Sequence, residues 1–227
     1  MVLEGLIGYG LFQEDYRFSL SLLIGFYGLL RTGELFDVTS QDIAMNGPFS
    51  PIVLSLGLTK SGKRAGAAES VTIQVREVQQ WVWHWKQAVP PHTPLVPSYY
   101  GWRKMFNDAL QAMHLQSFQF RPYSLRRGGA TFWWQCHANF DKLLMMGRWK
   151  AAATAKIYLN EGLSLLAQFK LVPAHLKPFR TVYNQFSPSS LQKLEQTPKR
   201  RRNGERGKHK KGVTKGGTML ELGFKYT

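Results

Sequence analysis

Apolar and polar positions along this chain follow helical spacing in some stretches and strict alternation in others. From Glu14 to Val38 the apolar residues recur at helical spacing, which predicts one long helix. Gly25, Gly28 and Gly33 lower its local propensity and suit close packing. "MNGPFSP" (Met45–Pro51) then breaks the pattern with turn residues. "IVLSLGL" and "SVTIQV" are rich in β-branched residues and flank "TKSGKRAGAAE", which predicts a strand, a basic glycine-containing turn and a second strand. "REVQQWVWHWKQA" returns to the helical period, with Val78, Trp81, Val82 and Trp85 on one face. "VPPHTPLVP" ends it, and Ser98 fits an N-cap for the helix through "YYGWRKMFNDALQAMH". Further short helices are expected from Tyr123, Asn139 and Ala151 onward. No internal repeat is visible. The expected fold is mainly α with a small antiparallel β-sheet or hairpin, an α+β class.

The pattern lapses at about Ser187. Residues 187–227 are poor in apolar side chains and rich in charge, so they cannot bury enough surface to offset chain entropy. A basic disordered tail is expected there, after a domain spanning residues 1–186. The cluster "PKRRRNGERGKHKK" reads either as a nuclear-localisation or DNA-gripping segment or as a plain solvated tail.

Charge narrows the choice of partner. Lys and Arg number 30 against 14 Asp and Glu, a formal net charge of +16. A polyanion releases counterions when it meets such a surface, so double-stranded DNA is the first expected partner and an anionic membrane surface the second. The longest apolar run, Phe18–Leu30, lies between arginines and falls short of the roughly 20 residues a membrane span needs. The start "MVLEGLIGYG" lacks the basic opening of a secretory signal, which points to a soluble intracellular protein, and the basic tail suggests the nucleus. The single cysteine, Cys136, excludes an internal disulfide, and its neighbour His137 does not make zinc spacing. Neither a metal nor another cofactor is expected, and both residues read as ordinary helix positions.

A basic chain acting on DNA would need cations around the phosphate oxygens, a nucleophile, and an acid for the leaving oxygen. Arginine grips phosphate through a planar fork, and tyrosine can form a covalent ester. Such groups occur in a definite order: Arg31 in "GLLRTGEL", Lys60 in "LTKSGK", Arg126 in "YSLRRGGAT", Trp149 in "GRWK" and Tyr158 in "TAKIYL". Lys60 competes with Lys63 in the same turn and is preferred because it directly follows the first strand.

These boxes, over roughly Glu14 to Gln168, resemble the tyrosine recombinase, or phage integrase, family. "SLRRGGAT" followed by "GRW" looks most like the recombinases of eukaryotic mobile elements of the DIRS and crypton types. The resemblance implies DNA strand cleavage and rejoining through a 3′-phosphotyrosine intermediate, without a cofactor. It casts Arg31 and Arg126 as the phosphate clamp, Lys60 as the acid, Trp149 as the indole that replaces a histidine, and Tyr158 as the nucleophile. Tyr123 stands where the family usually has histidine; its hydroxyl can donate to phosphate but is a poor proton shuttle at neutral pH. Lys63, Arg64, Arg127 and Lys150 are the expected DNA contacts, with a neighbouring acid as the other partner open to Arg127. Gly128 and Gly129 would allow close approach to the core or to DNA, and Trp133 and Trp134 fit core and interface positions.

Glu34 and Asp42 are expected to pair structurally with arginines. The helix "GLSLLAQF" implies self-association on DNA. Family members usually carry a helical DNA-clamping domain ahead of the first arginine box, and the short run before Glu14 implies a catalytic domain without it. The alternatives are a catalytically decayed DNA-binding relic, a topoisomerase-like enzyme, and an RNA-binding protein suggested by charge alone.

Overall fold

A computed structural model of the chain describes residues 2–57, 68–159 and 161–186. The fold is mainly helical, with one small sheet. The first helix, α1 (Val2–Phe12), is apolar almost all round, as a helix surrounded by others must be. It packs against α2 (Tyr16–Tyr27), α5 (Tyr99–Ala112) and α10 (Pro173–Phe186). Asp15 caps α2 by accepting the Phe18 N–H at 2.8 Å.

The long helix expected over Glu14–Val38 is two helices. α2 ends at Gly28, and α3 (Thr32–Asp37) begins after a turn. Within that turn Leu29 adopts φ 48°, an unfavourable left-handed conformation for a branched side chain. Its burial, to 1 % exposure, holds it there. The apolar spacing runs on through the turn, because Leu29 and Leu30 are both buried, in different clusters. Periodicity alone therefore hides the break.

The sheet has the order β1 (Ile43–Ala44), β2 (Ile52–Ser55), β3 (Ser70–Ile73), antiparallel throughout. Ile52 faces Ile73 and Leu54 faces Val71 across β2 and β3, which puts their buried side chains on one face. The two expected strands are present and pair antiparallel, and β1 adds a short edge. The turn's residues 58–67, which include Lys60, Lys63 and Arg64, lie outside the described residues, as does the tail 187–227.

α4 (Arg76–Ala88) buries Val78, Val82 and Trp85, each worth about 2 kcal/mol in area terms. Ser98 caps α5 by accepting the Gly101 N–H at 3.2 Å. α6 (Ser124–His137), α7 (Phe140–Gly147) and α8 (Ala152–Lys156) follow at the expected places, then α9 (Glu161–Lys170). Cys136 and His137 lie in α6. Among the described residues Asp42 pairs with no arginine; it accepts from the backbone N–H and the hydroxyl of Thr39.

Two apolar clusters result. The larger surrounds α2; the smaller lies beneath α6–α8, around Leu29, Leu143 and Trp149, with Trp133 and Trp134 partly buried against it. α6 crosses the end of α2 so closely that a Cβ on Gly129 would sit 2.1 Å from the Phe26 carbonyl oxygen. Gly128 and Gly129 thus serve core packing. Gly129→Ala is expected to destabilise the protein by about 3 kcal/mol in urea denaturation. Gly33→Ala, in α3 with no neighbour within 4 Å, should change stability by no more than about 1 kcal/mol, and in the favourable direction.

Candidate functional site

At the seam between the two clusters the chain gathers charge. Arg31 enters α3, whose first turn supplies Glu34; the Glu34 carboxylate accepts the Arg31 backbone N–H at 2.7 Å and its guanidinium at 2.5 Å. Arg148 caps α7 in the left-handed region and donates Nη2 to the same carboxylate at 2.6 Å. Glu69, just before β3, lies 3.5 Å from Arg31 Nη1 and 3.4 Å from Arg148 Nε. Glu34 is thus the acid expected to pair with arginine.

Arg126 is the largest fully buried side chain, at 1 % exposure. Its Nη1 donates to the Leu29 carbonyl and its Nη2 to the Gly147 carbonyl at 2.5 Å. The guanidinium carbon lies 4.7 Å from the Trp149 ring centre and 5.4 Å from that of Tyr158, so the cation also sits against two π faces. Burial, then repulsion from Arg148 and Arg31, lowers its pKa to about 10, which leaves it charged at neutral pH. Burial likewise lowers Arg148, with Glu34 opposing.

Tyr158 follows α8 and is half-buried. α6 holds its backbone: Arg127 donates to the Ile157 carbonyl at 3.1 Å and Thr131 to the Tyr158 carbonyl at 3.3 Å. Its ring lies 4.7 Å from Trp149 and 5.5 Å from Tyr123, centre to centre. Burial pushes its phenol up, but the neighbouring Tyr123 hydroxyl, the Trp149 indole N–H and the Arg126 cation together bring it below the ordinary tyrosine value. Tyr123 moves the other way, to about 12, through burial and its hydrogen bond with Tyr158. The pair is therefore asymmetric, with Tyr158 the easier phenol to ionise.

Three buried N–H groups of this cluster, Arg126 Nε, Arg148 Nε and Trp149 Nε1, have no hydrogen-bond acceptor among the described residues. The indole N–H is close enough to Tyr158 to favour its anion, yet its geometry is not that of a bond, so we count it as unpaired. Buried unpaired donors are costly, and three in one cationic cluster make a place for an acceptor-rich anion.

No family model, curated protein or solved structure matches the chain. Among the described residues no cluster of His, Cys, Asp or Glu could hold a metal ion, and no helix is long and apolar enough to cross a membrane.

The structure brings together Arg31, Tyr123, Arg126, Trp149 and Tyr158 from segments distant in sequence. Lys150 is exposed beside Trp149. Arg127 is committed to a backbone carbonyl rather than to an acid. Sequence reasoning missed Arg148, Glu69 and Thr131. Arg148 did leave a signal, since an arginine between Met146 and Trp149 at the end of an apolar helix needs a carboxylate partner once buried.

Tyr123→Phe removes the donor and should move the Tyr158 phenol upward toward the ordinary value near 10, read by ultraviolet tyrosinate titration. Trp149→Phe should move it the same way.

Proposed function

We propose that this chain cleaves and rejoins DNA strands through a covalent 3′-phosphotyrosine link at Tyr158, the chemistry of the tyrosine recombinases that its sequence resembles. On this reading the helices and the three-stranded sheet form a recombinase catalytic domain. The observation that carries the proposal is the ionisable Tyr158 phenol packed against the Arg126 cation and Trp149, in a cluster with three unpaired donors.

Tyr158 loses its proton to solvent, and Tyr123 donates into the oxygen left behind. That oxygen bonds to phosphorus while the bond to the 5′ oxygen breaks. The cationic cluster stabilises charge on the non-bridging oxygens, without reorganisation at the moment of reaction. Lys60, an expectation of the resemblance outside the described residues, would protonate the leaving 5′ oxygen. Attack by a 5′-hydroxyl on the phosphotyrosine reverses the step and restores the phenol. The basic tail would add salt-sensitive grip or direct the chain to the nucleus, and the helix now seen as α9 would serve self-association on DNA.

A second reading is a DNA-binding relic without turnover. The position of Arg126 favours it, because both terminal nitrogens already hold backbone carbonyls and the side chain is sealed from solvent.

Incubating the protein with nicked duplex DNA in EDTA separates the two. The expected product is a protein–DNA adduct on a denaturing gel, present in wild type and lost in Tyr158→Phe. Duplex binding that weakens with salt but never yields an adduct would establish the relic instead.

A further inference from the structure

Glu34 and Glu69 serve the same two arginines in different ways. Glu34 makes short contacts of 2.5 and 2.6 Å and is fixed further by the Arg31 backbone N–H. Glu69 presents one oxygen to both arginines at 3.5 and 3.4 Å, beyond the roughly 2.7–2.9 Å of a charge-assisted bond. Its backbone is pinned, since Leu56 donates to the Glu69 carbonyl at 2.9 Å and Glu69 donates to Gly57 at 3.1 Å. The carboxylate is therefore held against the arginines in long contacts only, a 3.5 Å hydrogen bond from Arg31 and a 3.4 Å ion pair with Arg148. Arg148, nine-tenths buried, keeps an Nε–H that Glu69 is too distant to satisfy. Arg31, by contrast, is one-third exposed, so the pair can be reached from solvent.

We propose that Arg148 is a further phosphate-holding arginine beside Arg31, and that Glu69 is the resting counterion that a DNA phosphate displaces from both. A phosphate carries several acceptor oxygens and can meet two guanidiniums at short range, where one pinned carboxylate reaches both only at 3.4–3.5 Å. Glu34 stays as the permanent partner and keeps the two arginines in register. The inference rests on the reading of this cluster as a DNA-phosphate site but not on the tyrosine chemistry.

The test is duplex affinity, by fluorescence anisotropy at fixed salt, for wild type, Glu69→Gln and the control Glu161→Gln. The control removes the same charge from an exposed helix start. Glu69→Gln is expected to bind about tenfold tighter than wild type, a gain of about 1.4 kcal/mol, and the control to gain clearly less. Equal gains in the two variants would reduce Glu69 to a general charge effect and overturn the proposal. Weaker binding by Glu69→Gln would make Glu69 a necessary positioning partner and overturn it too. Where Glu69→Gln is unstable, inorganic phosphate should raise its melting temperature more than that of wild type. Absence of that rescue also overturns the proposal. A protein that passes these tests yet never links to DNA would refute the tyrosine chemistry and leave this inference standing.

Discussion

The buried guanidinium of Arg126 is the interaction on which the rest of the site depends. Its two terminal nitrogens join the turn after α2, through the Leu29 carbonyl, to the end of α7, through the Gly147 carbonyl. Its face carries Trp149 and Tyr158. Taking a cation out of water is expensive, and two carbonyl bonds and two π faces offset only part of that cost. The lowered pKa of Arg126 records the remainder.

Around that staple the charges are arranged so that none is far from a partner and the total remains positive. Three arginines, at positions 31, 126 and 148, stand against the carboxylates of Glu34 and Glu69. Against its burial, Tyr123, then Trp149 and the Arg126 cation lower the phenol of Tyr158, and the cluster leaves buried donors unpaired. An arrangement serving stability alone would gain from replacing such a cluster with apolar side chains of similar volume.

Close packing sets the geometry. Gly129 lets α6 lie on the carbonyl of Phe26, and Gly147 leaves the space that the Trp149 ring fills, since a Cβ there would lie 1.9 Å from the ring. The indole therefore folds back over the end of its own helix and meets Arg126. Thr131 and Arg127, on the same helix as Arg126, then hold the segment that carries Tyr158. α6 thus supplies both the cation and the fixings for the phenol.

Much of the fold was legible locally. α4 and α5 follow from one-sided apolar spacing and from the Ser98 cap, and β2 and β3 from alternation around a glycine-containing turn. The order of arginine, tryptophan and tyrosine boxes also marked the site residues before any of them had a neighbour. Local pattern was enough for α4, α5 and the β2–β3 pair, because those depend on nearest neighbours along the chain, but the helices α1 and α10 were not read from it. Tertiary structure alone decided the break at Leu29, the use of Arg126 as a buried staple, and the pairing of Arg148 with Glu34 and Glu69. A left-handed leucine is stable only when burial compensates for it. A charge sealed from water is tolerated only when partners distant in sequence converge on it, and no local pattern encodes that convergence.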